Sequence, residues 1–93
     1  MTEINKLIKL LDSESIPYEI EDNVLTSTPQ IFYPCTEDPI CDVICHQYSY
    51  GGPEGLLEIM GLVEGDADDV EGWLTAKTVF ARISKDYHSR KLS

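Results

Sequence analysis

Cys35, Cys41, Cys45 and His46 place four zinc-competent side chains within twelve residues, so metal binding is the first chemistry to weigh. Small zinc sites commonly draw their ligands from paired Cys-x2-Cys knuckles. No such knuckle occurs here, and along an extended strand Cys41 and Cys45 fall on one face and His46 on the other. The thiols therefore read as buried structural residues, with no metal. The same alternation separates Cys45 from its neighbour His46, so a nucleophile and base pair would require another histidine, such as His88. The acidic run Glu64, Asp66, Asp68, Asp69 and Glu71 has the look of a calcium loop. An EF-hand begun at Asp66, however, needs glycine where Glu71 stands and glutamate where Lys77 stands. No carboxylate pair sits in an apolar context of the kind that raises a pKa for acid catalysis. The chemistry-bearing residues thus predict no catalytic site and no cofactor.

The segment from His46 to Glu54 is the most site-like. Gly51 and Gly52 release backbone amides to converge before Pro53, and the start of a helix favours an anion. His46, Tyr48, Ser49 and Tyr50 would add stacking and hydrogen bonds, giving a small nucleotide-like ligand site of His46, Tyr48, Ser49, Tyr50, Gly51 and Gly52. Glu54 opposes that reading, because it already satisfies the first turn and repels a second negative charge. The pattern also matches neither G-x-x-x-x-G-K-[ST] nor G-x-G-x-x-G. A turn required by the backbone alone is the simpler account. Gly55 suggests close packing against another backbone. Trp73 either anchors an interface or caps the core, and the core is the favoured place.

The elements that would hold these residues follow from periodicity. Ile4, Leu7, Ile8 and Leu11 define a helix capped by Thr2 and ending near Glu14, ahead of Pro17. Tyr18-Glu19-Ile20 alternates as a short strand, with a turn expected at Glu21-Asp22-Asn23. Gln30-Ile31-Phe32-Tyr33 forms a second strand and Cys41-Asp42-Val43-Ile44-Cys45-His46 a third, joined by a hairpin-length link. Pro53 opens a two-turn helix carrying Leu56, Leu57 and Met60, closed by Gly61. Residues 70–74 form either a strand or an extended lead-in. Thr75 caps a last helix whose apolar stripe is Ala76, Val79, Phe80, Ile83 and Tyr87, and residues 89–93 are expected to fray. The expected fold is one α+β domain over residues 1–93. Its helices pack on one face of a small antiparallel sheet, three-stranded or four-stranded, in the order α-β-β-β-α-(β)-α.

Charge is distributed unevenly. Residues 12–76 contain fifteen acids and no lysine or arginine, within a chain of net charge −10. Such a surface repels phosphate backbones and attracts basic ones, which argues against direct nucleic-acid binding and for a basic protein partner. Glu64, Asp66, Asp68, Asp69 and Glu71 form the densest acidic stretch and are the expected contact surface. Acids that serve only solubility are the plainer explanation. No apolar run approaches the roughly 18 residues that cross a bilayer, and Met1-Thr2-Glu3-Ile4-Asn5 lacks a basic start followed by an apolar block. An odd number of cysteines, three, agrees with a reducing compartment. The expectation is a cytoplasmic protein, with a homodimer drawn together by helix stripes that one short sheet leaves partly uncovered.

The run Tyr48-Ser49-Tyr50-Gly51-Gly52-Pro53-Glu54-Gly55-Leu56-Leu57-Glu58-Ile59-Met60-Gly61 resembles small, mostly uncharacterised proteins encoded by phages and prophages of Gram-positive bacteria. Ile44-Cys45-His46 before it and Gly72-Trp73-Leu74-Thr75-Ala76 after it extend the likeness, which spans roughly residues 31–88. The resemblance implies a small accessory protein made in the cytoplasm of an infected bacterium, acting by binding a host factor. Inhibition of a host defence or regulatory protein through an anionic, nucleic-acid-mimicking surface is the function expected from it together with the charge. It assigns no site residue.

Overall fold

The computed structural model describes residues 1–64 and 69–91, so Asp66 and Asp68 of the expected contact surface lie outside the described residues. The fold is α+β, with five antiparallel strands and two α-helices in the order α1 (Glu3–Ser13), β1 (Glu19–Asn23), β2 (Thr28–Tyr33), β3 (Cys41–Ile44), β4 (Leu57–Met60), β5 (Val70–Leu74) and α2 (Ala76–Lys91). The strands follow one another across the sheet in sequence order.

Helix α1 forms as its periodicity predicts. Thr2 Oγ1 accepts the Asn5 amide at 3.1 Å, and Ile4, Leu7 and Leu11 are buried on one face. Complete burial of Leu7 and Leu11 contributes about 1.5–3 kcal/mol each. Beyond Ser13 the chain reverses through Ser15 at φ 55, the Ile16 amide returns to Leu11 O at 3.0 Å, and Pro17 prevents continuation. At the start of α2, Thr75 Oγ1 accepts the Thr78 amide. The α2 stripe is confirmed: Ala76, Val79 and Ile83 are buried, with Phe80 and Tyr87 packed at the margin. Helix α2 continues through Ser89 and Arg90, which the sequence places in a frayed tail.

Register assigns each side chain to a face. The row Ile20, Ile31, Val43, Ile59, Glu71 lies on one side of the sheet and the row Glu19, Phe32, Asp42, Met60, Val70 on the other. Ile31, Val43 and Ile59 of the first row are fully buried with the helix stripes. The helices therefore cover that side, and Phe32, Asp42 and Met60 belong to the uncovered one.

Four expectations are corrected. Glu21, Asp22 and Asn23 continue β1, opposite Gln30, Pro29 and Thr28. The turn is Val24-Leu25-Thr26-Ser27, closed by Asn23 Oδ1 accepting the Leu25 amide and by the Ser27 amide on Asn23 O. Acidic residues are tolerated in β1 because it is an exposed edge strand, where charge discourages pairing with other chains. The expected helix after Pro53 is a single 3-10 turn, Gly52–Glu54, ended by Gly55 at φ 79. Leu57 and Ile59 then bury alternately in β4, a period of two that outweighs the helical signals of Pro53 and Gly61 once β3 and β5 flank the segment. Residues 70–74 are a strand, making the sheet five-stranded. The third strand stops at Ile44, so Cys45 and His46 lie in the connection that follows.

Candidate functional site

Beyond Ile44, the chain from His46 to Gly55 folds into a tight connection whose polar groups satisfy one another. Ser49, 6% exposed, accepts the His46 amide at its hydroxyl oxygen and donates that hydroxyl to His46 O at 2.8 Å. His46 Nδ1 accepts the Tyr48 amide at 3.1 Å, so a neutral ring carries its proton on Nε2. The Ser49 and Gly52 amides go to His46 O and Ser49 O. A β-carbon on Gly52 would lie 1.8 Å from His46 O, which makes glycine obligatory there. Gly51 has φ 90, and its backbone lies against that of Trp73.

This geometry bears directly on the anion-site alternative. The amides of Tyr48, Ser49, Tyr50 and Gly52 each already have an acceptor, and for Tyr50 it is the Glu58 carboxylate at 2.8 Å. A phosphate here would have to displace those partners and approach Glu54 and Glu58. The turn therefore matches the conformational reading of its glycines. Gly55 answers to backbone conformation as well: nothing lies within 4 Å of a β-carbon built there, so the expected close packing is absent and positive φ is the requirement.

Tyr50 instead builds an exposed aromatic surface with β5. Between Ile59↔Glu71 and Leu57↔Leu74 the register slips, so Gly72 and Trp73 form a bulge. Trp73 adopts φ 56, its amide donates to Tyr50 O at 3.1 Å, and Gly72 admits the Tyr50 backbone where a β-carbon would stand 2.2 Å from Tyr50 Cβ. Far from capping the core, Trp73 is 58% exposed and Tyr50 57%. The bulge turns the indole outward. The two rings stack with centroids 5.7 Å apart and planes 12° from parallel. Trp73 Nε1 donates to Glu54 Oε2 at 3.1 Å, so Glu54 holds the indole while Glu58 holds the Tyr50 backbone.

The acidic run divides. Arg82 in α2 binds Glu71 through both terminal nitrogens, at 2.7 and 3.0 Å, reaches Glu64 at 3.0 Å and donates to Leu62 O. The hydrogen bonds from Arg82 and from the Glu64 amide depress the Glu71 carboxyl to about 2. Glu71 is thus committed to a structural clasp, whereas Glu64 reaches the same guanidinium from an exposed position and Asp69 is exposed. On the open sheet face, burial and then the neighbouring Glu58 raise the Asp42 carboxyl.

The remaining candidates are dispersed. Cys41 is buried, its thiol pushed up to about 12 by burial; Cys45 is half-buried and also raised by burial; Cys35 is partly exposed. Among the described residues no three His, Cys, Asp or Glu side chains are grouped to hold a metal ion. His88 lies twelve residues, about 18 Å, along α2 from its start at the end of the sheet that carries the His46 connection. Sequence reasoning missed the Tyr50–Trp73 stack and the turn residues Val24 and Leu25, each 91% exposed. The available signals were Gly72 beside Trp73 and the turn-forming Asn23.

All seven lysines and arginines of the chain fall in α1 and α2. The helical layer carries every cation, and the strands and connections carry only acids. No helix among the described residues is long and apolar enough to cross a membrane. No family model, curated protein or solved structure matches this chain.

Proposed function

We propose that this chain acts by binding rather than by catalysis, as a small phage-type accessory protein that inhibits a host bacterial protein by occupying a basic surface on it. One observation carries the reading. Of the eight exposed large apolar residues among those described, five (Val24, Leu25, Tyr48, Tyr50 and Trp73) belong to the β1–β2 turn, the β3–β4 connection and the end of β5, which the antiparallel order brings to the same end of the sheet. Tyrosine and tryptophan dominate interface energetics, and charged residues around an apolar centre set partner choice and encounter rate. Here Glu58 holds the Tyr50 amide and Glu54 the Trp73 indole, which sets carboxylates next to the aromatic pair.

The contact surface shifts accordingly from the acidic run at 64–71 to this end of the sheet, where Glu54 and Glu58 stand beside the aromatic pair. A host groove that normally holds nucleic acid would offer the complementary charge, and the phage context rests on the resemblance of residues 31–88. Pairing of two copies through this surface is less favourable, because it would oppose like charges in a chain of net −10. A nucleotide-like ligand at 46–52 is not favoured, since four amides of the turn already have acceptors.

The test is capture from a nuclease-treated lysate of a Gram-positive bacterium by the immobilised protein and by its Trp73→Ala variant. A basic protein that is held at low salt, released at high salt, displaced by nucleic acid and not held by the variant supports the reading. Capture that ignores both salt and Trp73→Ala overturns it.

A further inference from the structure

We infer that the Tyr50–Trp73 pair is a guanidinium site, which takes an arginine side chain of the partner flat against the aromatic rings with Glu54 and Glu58 at its edge. The inference rests on the binding function proposed above and names the chemistry that the surface reads. Three features carry it. The rings are nearly parallel, 5.7 Å apart and more than half exposed, so the pair presents an open π face that the fold itself leaves uncovered. Trp73 donates its indole N–H to Glu54, which increases electron density in the ring and strengthens its attraction for a cation. Glu54 Oε2 accepts the indole N–H and Glu58 Oε1 the Tyr50 amide, so two carboxylates, one oxygen of each engaged in these bonds, are tied to the residues of the pair.

Arginine fits this arrangement better than lysine. A guanidinium is planar, stacks on an indole and directs its N–H groups outward in its own plane toward carboxylates, whereas an ammonium is a strongly hydrated point charge. Both arginines of the chain are engaged by carboxylates of other positions. Arg82 is held by Glu71 and Glu64, and Arg90 pairs with Asp86. The platform is also preorganised: the Tyr50 amide is held by Glu58 and its carbonyl by the Trp73 amide, which limits the ordering cost of binding.

Trp73 is the single tryptophan, so its fluorescence reports the site. The experiment titrates the protein with an acetylated, amidated Gly-Arg repeat hexapeptide and with its Gly-Lys counterpart at equal ionic strength. The expected result is a saturable change in emission, with the arginine peptide bound at least about threefold more tightly than the lysine peptide. Tyr50→Ala and Glu54→Gln should each weaken the arginine peptide by roughly fivefold or more, with circular dichroism unchanged. Glu37→Gln, which alters an exposed acid in the β2–β3 connection at the other end of the sheet, should leave it unaffected. Equal affinity for the two peptides, no change in emission, or an equal loss in Glu37→Gln would overturn the inference. If the peptides bind equally while a basic host protein is still lost with Trp73→Ala, the guanidinium site fails and the binding function stands. If arginine is preferred but no salt-sensitive host partner is captured, the guanidinium site stands and the inhibitory function fails.

Discussion

The Glu3 carboxylate accepts the backbone amide of Ala76 at 2.7 Å, joining residues 73 positions apart and fastening the start of α1 to the start of α2. This bond and Lys6 beside it hold the Glu3 carboxyl below its ordinary value of 4.5. The group caps α2 in the manner of an N-cap side chain but arrives from another element. Glu3→Ala should therefore cost about 0.5–2 kcal/mol, read as a lower midpoint in urea denaturation. Because the folded pKa is depressed, the contribution is present above pH 4.5 and is lost as acid protonates Glu3. Variant and parent should converge in stability at low pH; a constant difference across the range would contradict the cap.

A second stability prediction concerns the clasp of Arg82 on Glu71. Glu71 falls from an ordinary 4.5 to about 2, so its contribution is complete above 4.5 and disappears as pH falls toward 2. Glu71→Gln should destabilise by about 1–3 kcal/mol at neutral pH and flatten the acid limb of a thermal-stability profile. An unchanged acid limb would mean that the ion pair contributes little to folding.

Gly52 and Gly55 separate steric need from conformational need. Gly55→Ala meets open space and should cost only the left-handed backbone penalty, about 1–2 kcal/mol. Gly52→Ala drives a methyl into His46 O and should cost more, roughly 3 kcal/mol or above. Chemical denaturation of the two variants ranks them directly, and a reversed order would show that the His46–Ser49 connection yields without penalty.

Val24 and Leu25, nearly fully exposed, contribute little to the folded core. The double substitution Val24→Ser, Leu25→Ser should move stability by no more than about 0.5 kcal/mol, yet weaken capture of a basic partner by roughly tenfold. Surface plasmon resonance against the captured protein measures this. Undiminished affinity would confine the interface to the Tyr50–Trp73 side.

Local signals were legible where local forces decide. Thr2 and Thr75 announce their helices because a cap bonds an amide three residues away, and the stripes through Leu7, Leu11, Val79 and Ile83 follow from helical period alone. Legibility failed where distant pairing decides. Leu57-Glu58-Ile59-Met60, between Pro53 and Gly61, carries helix boundary signals as well as strand alternation, and only pairing with β3 and β5 makes it a strand. Glu21-Asp22-Asn23 has turn composition, yet pairing with β2 extends it.

By itself the sequence determined the α+β class, both helices with their caps, and an anionic centre flanked by the segments that hold every lysine and arginine, since these depend on residue identity and short-range spacing. The tertiary structure alone decided that Trp73 faces outward on a bulge, that Glu71 is clasped by Arg82, and that Tyr50 meets Trp73 across 23 residues of chain. Burial and pairing are properties of contacts between segments far apart in sequence, and a one-residue slip in β5 suffices to move a side chain from one environment to the other.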